Sequence, residues 1–464
     1  MKNLINGLVI GSLMLTSGCC IGPKYKKPQV SVPLAYKEST DWKKATPQDE
    51  MIKGEWWKIF NDKKLDALED ELNISNQNIA SAQAQYAQAY ALVQAARSAF
   101  FPTLSTAASY TRSHSGSSSS HGYAVSQDLL SANVSWELDL WGRVRRELEA
   151  NKASAEGFKA ELENVRLSMQ AQLAQNYFQL CSLDAQKKLL DDTVVVYKKF
   201  MDLTKKRYDS GIAALSDVLQ ARTQLEAARA GDIDVGVARA QVEHAIAVLI
   251  GKPAADVSLN ALKMPSELPA VPIGLPSALL ERRWDIAQAE RKVAQANALI
   301  GVAQAAYYPT LTLSASGSYQ SSSLSRLFSS PNPLWSVGPA LAQSIFDAGL
   351  RQAQMTQAKA VYDQDVAQYR QTVLTAFQQV EDNLAALRIL EQEAQAQDEV
   401  VKDAQKSLDI ITNQYKQGTV SALEVITLEA TAYNAQKEAV TILGQRLNAS
   451  VLLIEYLGGG WSSH

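Results

Sequence analysis

The chain has 464 residues with 45 basic against 48 acidic side chains, a formal charge of -3, so composition offers no bulk attraction to nucleic acid. Its four histidines, His114, His121, His244 and His464, are scattered, and the His114/His121 pair has no carboxylate cluster near it in sequence. No phosphate-binding glycine loop, nucleophile elbow or zinc-protease pattern appears, which argues against an enzyme and against a metal site.

At the N-terminus, Lys2 precedes an apolar run from Leu4 to Leu15, followed by Thr16-Ser17-Gly18-Cys19. Residues 1–18 read as a secretory signal, too short to span a membrane as a mature helix. Cys19 directly after Gly18 is similar to a bacterial lipoprotein cleavage site, which makes Cys19 a diacylated first residue and the covalent lipid the one non-protein group expected. Thr16 stands where such sites favour leucine, so an ordinary signal peptide is the second reading. Residues 19–64 form an extended arm rich in Pro, Lys and Tyr, and Trp56-Trp57 with Phe60 are expected to pin it against the folded body. Cys181 lies in a long helical pattern and reads as a small buried apolar residue, not half of a disulfide framework.

The rest of the chain is written twice. Residues 65–251 return at 272–458 with a constant shift of 207, joined by a linker at 252–271 and followed by a tail at 459–464. Phe101-Pro102-Thr103-Leu104 reappears as Tyr308-Pro309-Thr310-Leu311, and Tyr208-x-x-Gly211 as Tyr415-x-x-Gly418. A period this long belongs to whole multi-element units.

Each unit opens with a helical run, about 66–98 and 276–305, which Pro102 and Pro309 terminate. The period then falls to 2: Leu104, Thr106, Ala108 and Tyr110 alternate with small polar residues, as do Leu311, Leu313, Ala315, Gly317 and Tyr319. Val134, Trp136, Leu138 and Leu140 mark a return strand, whose counterpart at 335–346 is weakened by Pro339 and Gln343. Serine-rich loops, 114–127 and 321–333, separate the strands. Long helices follow over 143–207 and 350–416, each of about 65 residues and on the order of 100 Å at 1.5 Å per residue. Val194, Tyr197, Met201, Thr204 and Tyr208 keep a 3-4-3-4 coiled-coil spacing, repeated by Val401, Ala404, Leu408, Ile411 and Tyr415. Reversals at Gly211 and Gly418 send return helices over 214–250 and 421–457.

Strands of about ten residues suit a tilted membrane β-strand, and the apolar positions Leu104, Tyr110, Val134, Trp136, Leu138, Leu311, Leu313 and Tyr319 are the lipid-facing candidates. An open sheet edge in hydrocarbon costs several kcal/mol per unpaired group, so four strands must close by oligomerisation. A dimer gives eight strands and a trimer twelve; a conducting lumen favours the trimer. The same alternation also fits a water-exposed hairpin on a lipid-anchored coiled-coil scaffold.

Taken together, Cys19-Cys20-Ile21-Gly22-Pro23-Lys24-Tyr25-x-x-Pro28, Trp56-Trp57-x-x-Phe60, Trp136-Glu137-Leu138-Asp139-Leu140-Trp141-Gly142, Leu249-Ile250-Gly251, Leu280-Glu281-Arg282-Arg283-x-Asp285-Ile286 and Val337-Gly338-Pro339 carry a resemblance. The chain resembles a TolC-type outer-membrane factor, of the lipoprotein branch serving bacterial multidrug efflux pumps, along essentially its whole length. That resemblance implies a homotrimer with a twelve-stranded membrane β-barrel, four strands per chain, above a long α-helical coiled-coil barrel in the periplasm. It implies a passive conduit for drugs or other small compounds, partnered by a periplasmic adaptor (membrane fusion) protein and an inner-membrane transporter of the resistance-nodulation-division (RND) type. Outer-membrane lipid surrounds such a barrel, and no nucleic acid takes part. Metal or polypeptide export by the same kind of duct is the alternative.

By the same resemblance the helix reversals form a periplasmic aperture, placing Arg207, Tyr208, Gly211 and Asp217 in the first and Tyr415, Gly418 and Glu424 in the second. The family often has aspartate where this chain has Glu424, and a further aspartate where it has Thr427, so the acidic constriction departs from the pattern here. Solvated helix-surface carboxylates remain the plain reading of both acids.

Overall fold

The structure is a computed structural model that describes residues 20–38, 54–114, 124–265, 268–269, 271, 282–329 and 333–459. The expected lipid site at Cys19, the signal segment and the 460–464 end of the tail lie outside the described residues. In chain order the elements are α1 (Lys63–Ser75), α2 (Gln77–Ser98), β1 (Thr103–His114), β2 (Ala124–Leu138), α3 (Arg143–Asp209) and α4 (Leu215–Leu249). The second copy supplies α5 (Trp284–Ala305), β3 (Thr310–Ser321), β4 (Pro333–Ala342), α6 (Leu350–Gln417) and α7 (Ala422–Tyr456). The described contacts group the chain into two compact units.

The first unit (Met1–Gln29, Ala84–Ala160, Ala287–Gln371) holds a four-stranded antiparallel sheet of order β1-β2-β3-β4, leaving β1 and β4 as edges. Pairing runs further than alternation alone indicates. Thr111 opposes Gln127 and Ser113 opposes Val125, so 124–127 belong to a strand and not to the serine loop. Conversely, β4 stops at Ala342 and not at 346, because Ala342 pairs with Thr310, the first residue of β3, and no partner lies beyond. Gln343 instead donates to the Tyr307 carbonyl at 3.2 Å, and Asp347 accepts from the backbone of Gly349 and Arg351 to start α6.

Asp139 does the same for α3, accepting from the amides of Val144 and Arg145 at 3.0 Å each. Indole donors lock these strand–helix junctions: Trp136 to the Phe100 carbonyl at 3.0 Å and Trp141 to the Pro309 carbonyl at 2.7 Å. The described start of the arm lies over this region. Ile21 donates to the Trp141 carbonyl, and Arg146 donates to the carbonyls of Ile21 and Gly22. Gly142 must be glycine here, at φ +84° with Cys20 where a Cβ would stand.

In the second unit (Val30–Gln83, Glu161–Ile286, Thr372–His464), the expected single run over 66–98 is two helices. Asn76 is extended and ends α1, and its carboxamide oxygen caps α2 by accepting from the Asn78 and Ile79 amides. The counterpart run starts at Trp284; its earlier part, from 276, lies largely outside the described residues. Trp56 and Trp57 are buried as expected, with Phe60 against Phe178 at 4.7 Å. They join a core with Leu65, Leu72, Leu173, Tyr177, Ile246 and Leu384, where each fully buried aliphatic side chain is worth about 1.5–3 kcal/mol. Cys181 sits in this core, and burial pushes its thiol up to about 12.

Candidate functional site

Two regions follow from this frame, the sheet and the helix reversals. Register decides which residues share a face of the sheet. Leu104 opposes Val134, which opposes Ala315 and then Val337; Trp136 opposes Leu313 and Leu138 opposes Leu311. With Tyr110 and Tyr319, all eight candidate positions therefore fall on one face, because side chains alternate with period 2. Trp335, Val337 and Leu341 of β4 belong to the same face and are 80%, 71% and 68% exposed. Selection of candidates by sequence omitted these three because Pro339 interrupts the strand pattern, although their odd-numbered spacing carries the signal.

The opposite face is mainly small and hydroxylic, with Leu129 and Leu334 among the exceptions: Ser105, Asn133, Ser316 and Ser336 lie in one row, with Ser316 and Ser336 hydrogen-bonded at 2.8 Å. Glu137 lies at one end of it, held by Arg143 through two bonds of 2.9 and 2.8 Å. Such a sheet separates an apolar medium from water. Its two edges still carry unpaired backbone groups, which hydrocarbon does not tolerate, so the edges need partners of their own kind.

At the reversals, the two copies share a backbone. Gly211 has φ +74° and donates to the Tyr208 carbonyl at 2.8 Å; Gly418 has φ +81° and donates to the Tyr415 carbonyl at 3.0 Å. Side chains then diverge. Tyr415 is buried under the Arg207 guanidinium, 4.2 Å from its ring centroid, and packs on Phe200 at 5.2 Å. Arg207 also donates to the Tyr415 carbonyl at 3.4 Å. Tyr208 is 41% exposed, so the first coiled-coil seam is covered at Tyr197 and Thr204 and ends before it. Arg207 and Tyr415 are brought together; Tyr208 and Gly211 are not part of that contact. Phe200 was missed, since a partner across two helices leaves no periodic trace in either.

Asp217 and Glu424 both sit in the first turn of the helix that follows a reversal. There a carboxylate is favoured by the helix dipole. Glu424 accepts from the Ser421 hydroxyl at 3.1 Å, in the spacing of a capping box. Each acid thus has a local task as well as a place at the reversal.

Buried carboxylates occupy the second unit's helix joint. Burial pushes Glu455 up to about 7, opposed by a Ser168 hydrogen bond and Arg283. Glu455 shares a cavity of about 190 Å³ with Arg283 and Asp285. Glu69 is fully buried and raised well above the usual carboxylate range by that burial. Neither stood out in sequence, because burial is a property of packing. Among the described residues, no group of three or more His, Cys, Asp or Glu side chains could hold a metal ion, and no helix is long and apolar enough to cross a membrane.

A family model described as "Outer membrane efflux protein" matches residues 68–252 and 275–459. The antibiotic efflux pump outer membrane protein ArpC of Pseudomonas putida is 30% identical over 466 residues, covering 99% of this chain and 96% of that protein. The cation efflux system protein CusC of Escherichia coli is 28% identical over 458 residues, covering 97% of each. The structure of the outer-membrane channel OprN is similar, with a TM-score of 0.87 at 27% identity, over 96% of this chain and 100% of that one.

Proposed function

Because the chain belongs to the outer membrane efflux protein family and forms the outer-membrane channel of an efflux system, we propose that its homotrimer passively releases drugs and other small uncharged or amphiphilic compounds to the exterior. The observation that carries this reading is the two-faced sheet with two open edges. Three copies join β4 of one chain to β1 of the next with antiparallel sense, giving twelve strands with no edge. The face of Leu104, Tyr110, Val134, Trp136, Leu138, Leu311, Leu313 and Tyr319 then meets lipid, and the serine face lines the lumen.

No catalytic step is involved. The conduit supplies no energy, so a periplasmic adaptor and an inner-membrane RND-type transporter load it. The hydroxylic lumen offers neutral hydrogen-bonding groups along the sheet, which suits passage without selective retention. The reversals form the periplasmic aperture, with the Arg207–Tyr415 contact as its brace and Asp217 and Glu424 as its acids.

The chain is also a lipoprotein in this reading, acylated at Cys19. Support comes from the leader sequence and from Cys20, which packs on Gly142 a few residues past the end of β2, at headgroup level. Mass spectrometry of the mature N-terminus tests this, and an unmodified terminus at any other residue overturns it.

Bilayer recording from the purified trimer, paired with efflux complementation over antibiotics, solvents and metal cations, tests the channel and its cargo together. Conductance with restored antibiotic or solvent tolerance is the expected result. A well-folded oligomer that never conducts defeats the channel reading, and restoration of metal tolerance alone defeats the cargo assignment.

A further inference from the structure

The first unit contains a groove of about 1010 Å³ between the arm, the end of α5 and the start of α6. Lys24, Lys26 and Lys359 line it, with Tyr307, Tyr308 and Tyr362, and no acidic side chain does. All three lysines are exposed, and none of them is in an ion pair among the described residues. Ile300 and Met355 add an apolar wall, while Asn297 is held by its bond to the Pro23 carbonyl at 3.1 Å. The groove is therefore cationic and amphipathic, with ordered walls.

Its neighbour across the arm makes the point by contrast. That cavity, of about 420 Å³, holds Arg145, Lys152 and Arg291 together with Glu149 and Glu156, and Arg291 pairs with Glu156 at 2.8 Å. Its positive charge is answered from within the chain. In the larger groove it is not, and a cluster of like charges with no acid among its walls attracts an anion.

Position selects which anion. Tyr307 and Tyr308 immediately precede β3, whose Leu311 and Leu313 begin the apolar face. Tyr308 stacks on Trp141 at 5.0 Å, an aromatic pair at the level where a barrel leaves hydrocarbon. A group resting there has its polar end beside the lysines and its apolar end toward the lipid-facing side chains.

We propose that this groove is a binding site for an anionic phospholipid of the periplasmic leaflet, whose phosphate is held by Lys24, Lys26 and Lys359 and whose glycerol and first methylenes lie against the tyrosines. It rests on the barrel reading above, but its test is independent of conductance. The chemistry of recognition is that of basic pockets for acidic headgroups near a membrane surface.

The experiment titrates delipidated trimer with phosphatidylglycerol in micelles and counts retained lipid by native mass spectrometry, with phosphatidylcholine as the neutral control. Wild type should prefer phosphatidylglycerol. Each Lys→Gln change should weaken it about fivefold, and Lys24→Gln with Lys26→Gln and Lys359→Gln on the order of a hundredfold, while the corresponding Lys→Arg variants keep it. Equal retention by wild type and the triple variant overturns the proposal. Complete displacement of the lipid by millimolar inorganic phosphate also overturns it, showing a free-anion site. If the triple variant does not assemble, amine acetylation of the wild-type trimer decides. Protection of the three lysines by phosphatidylglycerol and not by phosphatidylcholine supports the site. Protection without any lipid means that a neighbouring protomer fills the groove, and overturns it. Channel formation that survives loss of lipid binding would leave the functional reading intact.

Discussion

Tyr208 and Tyr415 occupy the same place in the two copies, three residues before a left-handed glycine that bonds back to the tyrosine carbonyl, yet Tyr208 is 41% exposed and Tyr415 is 4% exposed. The cause lies one residue away. Arg207 has Gln414 as its counterpart, so only the first copy has an arginine at this position, and it covers Tyr415. The helix joints diverge in the same manner. Asn76 donates to the Leu249 carbonyl at 2.7 Å and Arg283 donates to the Tyr456 carbonyl at 3.2 Å, one bond made by two different side chains. Duplication preserves backbone and lets side chains specialise. Two like hairpins can thereby carry a fixed member and a releasable one.

The largest effects should come where backbone is shared most tightly. A Cβ on Gly251 would stand 2.3 Å from the Ser75 carbonyl oxygen, and one on Gly458 2.9 Å from the Arg282 carbonyl oxygen, both at positive φ. Gly251→Ala should cost about 3–5 kcal/mol and Gly458→Ala somewhat less. Gly211→Ala and Gly418→Ala meet open space and should cost only about 1–2 kcal/mol each, from the left-handed backbone. Urea midpoints of the four trimers rank them. A Gly251→Ala variant destabilised no more than Gly211→Ala would show that the joints are packed no more tightly than the reversals.

Glu455 tests divergence at the joint, since its counterpart Val248 is apolar and 70% exposed. Its carboxyl is raised to about 7 by burial, from an ordinary 4.5. The folded state therefore binds the proton more tightly than the unfolded one, and stability is full below about pH 4.5 and lost as pH rises through about 7. The loss is on the order of 3 kcal/mol. Glu455→Gln should flatten that part of the stability–pH curve, read by thermal melting from pH 4.5 to 8, whereas Val248→Gln should leave its slope alone.

Much of this was legible in the residues, for physical reasons that differ by element. The long helices were plain because 143–207 has no proline and a single glycine, Gly157, and 350–416 has neither, and the structure runs them from 143 to 209 and from 350 to 417. Alternation placed the eight sheet candidates on one face, because a period of exactly two residues fixes side-chain direction before any tertiary contact exists. The break at Asn76 was only partly legible: Ser75-Asn76-Gln77-Asn78 suits a cap better than a helix interior, but the bond that fixes the break there reaches the distant Leu249 carbonyl. The end of β4 was hidden for a related reason, since a strand stops where its partner stops. Burial of Glu69 and Glu455, and the choice of Tyr415 over Tyr208, depend on side chains brought from far along the chain.

The proposed aperture should respond to Arg207 more than to any other residue of the reversals. Arg207→Ala removes a cation–π contact and a bond to the Tyr415 carbonyl, together worth about 1–2 kcal/mol, or roughly a five- to thirtyfold shift toward any form that lacks the contact. Gln414→Ala should shift nothing, because the Gln414 carbonyl that Thr419 uses survives the change. Tyr415→Ala should resemble Arg207→Ala, while Tyr415→Phe should be near neutral, since ring and carbonyl make the contacts. Open probability in bilayers checks all four, and equal effects of Arg207→Ala and Gln414→Ala would remove the asymmetry between the reversals.

The smallest expected effect separates the two acids. By threefold symmetry one carboxylate per chain becomes three around an axis, so a modest local field is tripled where it faces the path of ions. Glu424 accepts from the Ser421 hydroxyl at 3.1 Å at the start of α7, and Asp217, in the first turn of α4, accepts from the Ser216 hydroxyl at the longer distance of 3.4 Å. Neutralising either should cost about 0.5 kcal/mol of helix-end electrostatics. Asp217→Asn should also lower the preference for cations over anions about twofold, read from reversal potentials in a KCl gradient. Glu424→Gln should lower it less, because the Ser421 hydroxyl bonds its carboxylate at the shorter distance. If neither change moves the reversal potential, both acids serve only their helices, and the two reversals differ in how Tyr415 is held and not in charge.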